Sequence, residues 1–431
     1  MMSGQSDNDA RPTAANNLQD ELSGVEAWRH HLQVRYQHDA GRAIARALRG
    51  DNDPVFIERL LELLRTYSEI PHVGEAPQAA DESILHLAHV IAARLIRLGY
   101  WHQLNQLWPK LCRLAELADN ADQYINFTKF LAIVKGRQGD GQAGFAIYNR
   151  LVNHPHFQAA SPTLQADIFT HYATMLLWGG QRHAAAPLLQ HCLLLTENFA
   201  TQTTADAHQA VADTQLAVAP LWESRAYALN QQGVLHMFCG EFALAHHYFA
   251  KMAALFITQG EENNLACVAH QAIGRLLLYE RNYQAALTVL TQGMAIRQRQ
   301  LDREGIAVNS IYMAAAQLGL DQLGTAKTLL NNALQDCHLL ENEHDLALCH
   351  LYLGVLARRH QEYNRALAHW HEFTTVAGHV VLHFVELRIL LPELGSLLAQ
   401  GQFTMVWRLM KILWQSAQHD QLSPRMLWRF L

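Results

Sequence analysis

Two cysteines and three histidines lie within one short stretch that could bind a metal ion. The stretch is CHLLENEHDLALCH, and its candidate ligands are Cys337, His338, His344, Cys349 and His350. Thiolates and imidazoles are typical zinc ligands, and this spacing crosses a predicted loop between two helices, so the ligands could converge. Alternatively, both cysteines pack inside helices while the histidines face solvent. The sequence favours this second interpretation, and a metal-dependent enzyme using histidine-rich loops between helices is kept as an alternative function.

Common catalytic and phosphate-binding motifs are missing from the sequence. It contains no GxxxxGK[ST] loop, no HExxH helix and no GxSxG turn. The glycine-rich stretch GRQGDGQAG at 136–144 lacks a following lysine and is predicted to be a turn between two helices. We therefore predict no catalytic residues, no cofactor and no bound metal, and we expect that the protein is not an enzyme.

A four-residue pattern recurs along the chain and indicates how its helices are arranged. A glycine is followed nine residues later by an aromatic residue, then three later by alanine and four later by a large apolar residue. The clearest copies are Gly274, Tyr283, Ala286 and Leu290, then Gly233, Phe242, Ala245 and Phe249, and finally Gly354, Tyr363, Ala366 and Trp370. Apolar residues three and four apart, among alanine, leucine and glutamine, predict helices.

This register places equivalent small-residue positions at intervals of 40 or 41 residues, apart from one interval of 60. The eight positions are Leu104, Gly144, Ala185, Ala245, Ala286, Ala326, Ala366 and Val406. Self-similarity at such a period is typical of a repeat array. Each unit is predicted to be a helix pair in which the small residues allow close approach. The large residue is expected to fill the space toward the neighbouring unit.

The spacing of glycine, aromatic, alanine and large apolar residue resembles the tetratricopeptide repeat (TPR) superfamily, whose usual unit has about 34 residues. The longer units are similar to those in the sensor arms of bacterial signal-transduction ATPases and maltose-regulator-type activators. The resemblance covers residues 82–418. It implies an all-α, right-handed superhelical solenoid of antiparallel helix pairs. It also implies a non-catalytic scaffold for protein–protein interaction, or a ligand-sensing adaptor.

The repeat register divides the chain into six segments. They are a disordered N-terminal tail at 1–23, an N-terminal helical cap at 24–72, TPR-like units 1–3 at 82–198, an insertion or joint at 199–220, TPR-like units 4–8 at 221–418, and a C-terminal segment at 419–431. The insertion accounts for the single 60-residue interval. It could extend a helix or form a loop.

In the superfamily that the sequence resembles, the first helix of each unit lines a concave groove. Carrying those positions onto this register implies a partner-binding groove containing Arg97, Asn126, Lys129, Arg137, Asn230, Gln271, Arg275, Tyr279, Arg358 and Arg359. The same register includes His86, His89, Trp178 and Met237. Guanidinium groups suit carboxylates, so an acidic or C-terminal segment of a protein or peptide partner is favoured. The alternatives are a solvated face with no partner and a regulatory arm of a transcription or signalling complex.

Composition limits the remaining choices. The net charge of −6 does not favour direct binding to nucleic acid. The most apolar run, VVLHFVELRILL, is interrupted by His383, Glu386 and Arg388, so no membrane span is predicted. The six cysteines are dispersed and are expected to be reduced thiols. With no signal peptide recognised in the sequence, we expect a cytoplasmic protein.

Overall fold

The structure, a computed structural model of the chain, describes residues 40, 43, 53–68, 79–206, 221–259 and 266–427. The chain forms two compact units, residues 1–91 with 113–120 and residues 92–112 with 121–431. The predicted tail at 1–23 lies outside the described residues, as do 207–220 of the predicted joint and most of the predicted cap. Every regular element in the described ranges is a helix, and none of these helices has the length and hydropathy of a membrane span.

The main described element of the predicted cap is α1 (Pro54–Ser68). Asp53 begins this helix by accepting a hydrogen bond from the backbone N–H of Val55 at 3.1 Å. Proline suits the first helical position because its missing N–H has no partner to lose there. One side of α1 is apolar, and its buried residues are Phe56, Ile57, Leu60, Leu61, Leu64 and Tyr67.

Eight consecutive antiparallel helix pairs make up most of the described chain, and this confirms the predicted all-α solenoid. The pairs are α2 (Ala79–Leu98) with α3 (Trp101–Leu117), α4 (Ala121–Arg137) with α5 (Gly141–Val152), α7 (Pro162–Trp178) with α8 (Arg182–Asp206), α9 (Leu221–Phe238) with α10 (Phe242–Gln259), α11 (Ala266–Tyr279) with α12 (Tyr283–Arg299), α13 (Arg303–Gly319) with α14 (Leu323–Leu339), α15 (Glu343–Arg359) with α16 (Tyr363–Val376), and α18 (Leu391–Ala399) with α19 (Phe403–His419). Shorter helices are α6 (Pro155–Ala159), α17 (Phe384–Leu387) and α20 (Pro424–Leu427).

The length of the repeat follows from long helices joined by very short turns. The helices α12, α13, α14 and α15 have 17 residues each, and the turns between them have three. The middle residue of each turn has a positive φ, as at Leu301 (53°), Asp321 (59°) and Glu341 (52°). Such a residue ends a helix by letting the next N–H reach back to a free carbonyl, as Asp302 N–H does to Arg297 at 3.0 Å. The stretch 136–144 is likewise a turn between helices, as predicted.

The glycines of the three clearest repeat copies, Gly233, Gly274 and Gly354, are covered by large residues of their own pair. A Cβ added at Gly354 would lie 2.3 Å from the ring nitrogen of Trp370, and one at Gly274 would lie 2.5 Å from Cγ of Leu290. The large residue therefore packs on the first helix of its own pair, and its role toward the neighbouring unit stays a prediction. The aromatic residue reaches the neighbouring unit, because Tyr283 covers Gly319 of the following pair.

The eighth pair departs from the regular pattern. Where a single first helix is expected, the structure has α17, a 3₁₀ turn at Arg388–Leu390, and then α18, with Pro392 in its first turn. Residues 380–383 before α17 are not helical. The break in the eighth pair allows the chain to leave the path of a regular helix.

The predicted joint at 199–220 begins as a continuation of α8, which extends to Asp206.

We predict that Gly354→Ala lowers the free energy of unfolding by about 1–3 kcal/mol, because the methyl group would overlap the buried ring of Trp370. Helix propensity alone would favour alanine by about 1 kcal/mol. The matched control is Gly395→Ala in α18, where an added Cβ meets nothing within 4 Å. Urea unfolding should show a loss of stability for the first variant and a small gain for the second. Equal effects would contradict the proposed close packing.

Candidate partner-binding site

Residues 382–390 contact the first helices of five helix pairs. We call this stretch the plug segment. His383, Glu386 and Arg388 are its contacting residues. They contact a surface that we call the first-helix face, formed by Trp178, Phe238, Arg275, Tyr279, Tyr312 and His344. Residues of α7, α9, α11, α13 and α15 thus meet at one short piece of chain.

Arg275 lies at the centre of the first-helix face. Its exposed fraction is 3%, and its Nη2 atom lies 3.8 Å from Oε1 of Glu386, which is 2% exposed. The guanidinium carbon lies 5.1 Å from the ring centres of both Trp178 and Tyr312, which is a cation–π distance. Because aromatic rings surround this ion pair, solvent ions screen it much less than they screen a surface pair.

Three further groups hold the carboxylate of Glu386. The hydroxyl of Tyr312 donates a hydrogen bond to Oε1 at 3.4 Å, and the backbone N–H of His383 donates one to Oε2 at 3.1 Å. The Nε2 atom of His344 lies 3.6 Å from Oε2. Burial by itself would raise the pKa of Glu386, but His344, His383 and Arg275 together lower this pKa to about 2. The site therefore holds an ionised carboxylate.

Both cations of the site keep their charge despite burial. Burial alone would lower the pKa of Arg275, but neighbouring tyrosines and Glu386 raise this pKa above its ordinary value. Burial would also lower the pKa of His344. A hydrogen bond to Asp345 and the nearby carboxylate of Glu386 outweigh burial and raise the pKa of His344 to about 10. The histidine is therefore protonated at neutral pH and acts as a second cation beside Glu386.

Further contacts fix both ends of the plug segment. Asp420 accepts hydrogen bonds from the ring Nδ1 of His383 at 2.6 Å and from the backbone N–H of Phe384 at 2.7 Å. The ring of His383 stacks on Phe238 with ring centres 3.5 Å apart. At the other end, Arg388 donates a hydrogen bond to the backbone carbonyl of Tyr279. The plug segment is thus held before, at and after Glu386.

Other cations of the predicted groove are also paired within the chain. Lys129 donates a hydrogen bond to Oδ2 of Asp167 at 2.6 Å, and both side chains are buried. Burial would raise the pKa of Asp167, but Lys129 and His171 hold this pKa well below its usual range. The remaining ion pairs and hydrogen bonds join Arg137 with Glu304, Arg358 with Glu393, and Arg359 with Asp321 and the carbonyl of Leu318.

The predicted amides are engaged as well or are buried. Asn126 accepts a hydrogen bond from Lys129 at 3.1 Å, Gln271 accepts one from Arg297, and Asn230 is buried. Arg97 is half-buried near the end of α2. Among the other residues on the groove register, Met237 is buried, and Trp178, His86 and His89 are half-buried. Of the described residues on the predicted groove register, Trp178, Arg275 and Tyr279 meet at the plug segment. A role of the predicted set in partner binding stays a prediction.

The candidate metal ligands point to different neighbours. The thiols of Cys337 and Cys349 are buried against each other. His344 faces Glu386, and Nδ1 of His350 lies 3.3 Å from Nδ1 of His369. Within the described ranges, no group of three or more histidine, cysteine, aspartate or glutamate residues could hold a metal ion.

The acidic partners were not among the predicted site residues. Glu386 appeared in the sequence only as one of the residues that interrupt the run VVLHFVELRILL. This interruption of an apolar run by a charged residue was the sequence feature that could have identified Glu386. A carboxylate inside an otherwise apolar segment has to find a partner when the segment is buried. Glu393 carried a comparable signal, because it is the only charged residue in the apolar stretch ILLPELGSLLA, whereas Asp420 lies in a stretch of mixed polarity.

No protein-family model matches this chain, and no curated protein matches it. Among solved structures, a Rap protein complexed with Competence and Sporulation Factor is 11% identical, with a TM-score of 0.49, and the match covers 79% of this chain and 92% of that chain. The apo form of RapI is 11% identical, with a TM-score of 0.40, covering 77% and 98%. The TPR2AB domain of yeast Sti1 in its pHSP90 complex is 11% identical, with a TM-score of 0.24, covering 76% and 99%.

These similarities are too low to support an argument, because each TM-score lies below 0.5. The assignment depends instead on the chain's own features, which are paired helices, a period near 40 residues, and glycines packed under large side chains. Together these features make the fold an all-α solenoid of repeated helix pairs.

We predict that stability falls as the pH rises from 6.5 to 10. The pKa of His344 is raised from 6.5 to about 10 in the folded chain, so its contribution is present below pH 6.5 and is lost as the pH rises through 10. The free energy of unfolding should decrease by up to about 1.4 kcal/mol per pH unit in this window. The pKa of Glu386 is lowered, so its contribution is lost only as the pH falls from 4.5 to about 2.

Urea unfolding at several pH values checks this prediction. His344→Gln should flatten the alkaline slope, whereas the control His338→Gln, at an exposed position on α14, should leave it unchanged. An unchanged slope in His344→Gln would show that another group controls the alkaline loss.

Proposed function

We propose that this protein is a non-catalytic scaffold for protein–protein interaction whose first-helix face binds a carboxylate-bearing segment of a partner. TPR-like helical repeats typically present an extended surface for protein partners. In the described conformation, Glu386 of the plug segment occupies the position that the partner's carboxylate would take. Binding is then an exchange, in which the partner segment replaces the plug segment.

The observation that carries this proposal is the carboxylate site around Arg275. A guanidinium, a protonated histidine and a tyrosine hydroxyl all face one carboxylate. Charge-assisted contacts of this kind select an anion, and the surrounding rings exclude water. A partner that offered no carboxylate would leave Arg275 buried without its counter-charge, which is costly. The site therefore discriminates between segments by the presence of an acidic residue.

The plug segment also indicates the chemistry of the partner segment. Glu386 stands between apolar residues, and its neighbours Phe384, Val385 and Leu387 are all buried. These residues form the one-turn helix α17. We therefore expect a partner segment with one carboxylate among apolar residues in a helical turn. A strongly acidic run would bring unpaired charge into the same apolar surroundings.

More specific roles are part of this proposal. A ligand-sensing adaptor and a regulatory arm of a transcription or signalling complex both use such a scaffold. In either role, a partner chain would supply the catalytic or DNA-binding activity. A cytoplasmic location and a role without direct nucleic-acid contact follow from composition and belong to the same proposal. A pull-down with mass spectrometry would identify the partner and distinguish these roles.

A synthetic peptide of residues 380–392 tests whether binding at the site depends on a carboxylate. The full chain carrying Glu386→Gln has a weakened plug segment and should bind the labelled peptide at least about tenfold more tightly than the wild-type chain does, a difference of about 1.4 kcal/mol. The peptide carrying the same Glu386→Gln change should bind at least about tenfold more weakly than the unmodified peptide. Fluorescence anisotropy measures both affinities.

Two control variants of the chain complete this experiment. Glu372→Gln removes an exposed carboxylate on α16 and should behave as wild type. Arg275→Met combined with Glu386→Gln should lose the preference for the unmodified peptide. Equal binding of the two peptides to a folded Glu386→Gln chain would refute the proposal, and circular dichroism establishes that each variant is folded.

A further inference from the structure

One side of α19 carries a stripe of large exposed apolar residues. Phe403, Trp407, Met410 and Trp414 are exposed by 68%, 64%, 55% and 63%. Their spacing of four, three and four places all of them on one side of the helix. We call these four residues the α19 stripe. At about 1.5 Å per residue the stripe is about 17 Å long, and contiguous apolar surface of this kind marks interaction sites.

The equivalent positions of an internal helix are covered. They lie 120 residues earlier, three units of 40, and are Tyr283, Leu287, Leu290 and Met294 of α12, all buried or half-buried. There, Leu290 packs on Gly274 of its own pair, and Tyr283 packs on Gly319 in the first helix of the following pair. The α19 stripe thus occupies the repeat positions that, in α12, pack against first helices of the same pair and of the following pair.

The charges of α19 indicate what kind of helix would fit. The helix contains Arg408 and Lys411 and no acidic residue, although the net charge of the chain is −6. Lys411 borders the stripe, with its Nζ atom 5.7 Å from the ring centre of Trp407. The opposite border is apolar and buried, at Val406 and Leu413. One edge of the stripe is therefore basic, and the other continues into the core.

We propose that the α19 stripe is a docking surface for an amphipathic helix of a partner protein, with acidic residues beside its apolar side. Large apolar residues at positions three and four apart are the usual anchors of a helix held in an apolar groove. Acidic residues on the partner's flank would face Lys411. The stripe shares no residue with the first-helix face, so it is proposed as a second interaction site that does not require exchange of the plug segment.

The charge pattern favours this partner over a second copy of the chain. Two copies of α19 would bring the same cation, Lys411, to the contact and no carboxylate from either helix. Like charges placed against each other weaken an interface. The buried border at Val406 and Leu413 also leaves a narrow ridge for contact. Such a ridge suits a helix better than the broad apolar side with which a helix enters a lipid surface.

Two designed 18-residue peptides serve as probes. Both carry leucine at every a and d position of a heptad, and the flanking positions carry glutamate in one peptide and lysine in the other. The full-length protein should bind the glutamate peptide at least about tenfold more tightly than the lysine peptide in fluorescence anisotropy. Lys411→Glu should reduce this preference or reverse it.

The double variant Trp407→Gln, Trp414→Gln should bind the glutamate peptide at least about tenfold more weakly than wild type. Its matched control is Leu339→Gln on α14, because Leu339 is 67% exposed and lies outside the stripe. Both variants change only exposed side chains, and circular dichroism checks that their folds are intact. The control should bind as wild type.

Three results would overturn the proposal. Equal binding of the two peptides, or no binding, would remove the acidic helix as the partner. Tryptophan-dependent binding to vesicles of phosphatidylcholine and phosphatidylglycerol, without peptide binding, would assign the stripe to a membrane surface. Tryptophan-dependent dimers in sedimentation equilibrium would assign it to a second copy of the chain.

Discussion

A carboxylate that is taken out of water needs an opposite charge, and Glu386 imposes this requirement on the helices around it. An unpaired buried charge costs several kcal/mol. Arg275 and protonated His344 supply the opposite charge, and Tyr312 supplies a hydrogen bond. These residues belong to three consecutive first helices, so the pair can form only where the repeat places these helices side by side. The repeat geometry and the buried charge therefore depend on each other.

The same arrangement explains how a repeat with many cations can have most of them paired. Lys129 pairs with Asp167, and Arg358 pairs with Glu393. These cations were predicted as contacts for an acidic partner, and each already has an acidic group of its own chain. A partner that binds at these cations must compete with these groups, just as a partner that binds the first-helix face must compete with Glu386. The affinity for a partner then depends on the difference in free energy between the contacts of the partner segment and those of the plug segment. Because the two sets of contacts are similar, the site is selective for the chemistry of the segment that replaces the plug segment.

The local features of the fold could be predicted from the sequence, whereas the plug segment could not. The glycine at 354 and the tryptophan at 370 follow a fixed spacing, and the helix pair they join is a contact between neighbours along the chain. Arg275 and Glu386 are 111 residues apart, and no periodic pattern connects them. The contact of Leu290 with Gly274 of its own pair was not predicted either, because spacing shows which side of a helix a residue occupies but not which neighbour covers that side.

A double-mutant cycle on Arg275→Met and Glu386→Gln tests the central claim, which is that these two buried charges hold the plug segment on the first-helix face. The free energy of unfolding in urea is measured for the wild type, both single variants and the double variant. Each single change should cost about 3–5 kcal/mol because it leaves a buried charge unpaired. The double change should cost less than the sum of the two by several kcal/mol. Additive costs, within about 0.5 kcal/mol, would mean that the two residues do not interact and would contradict this account.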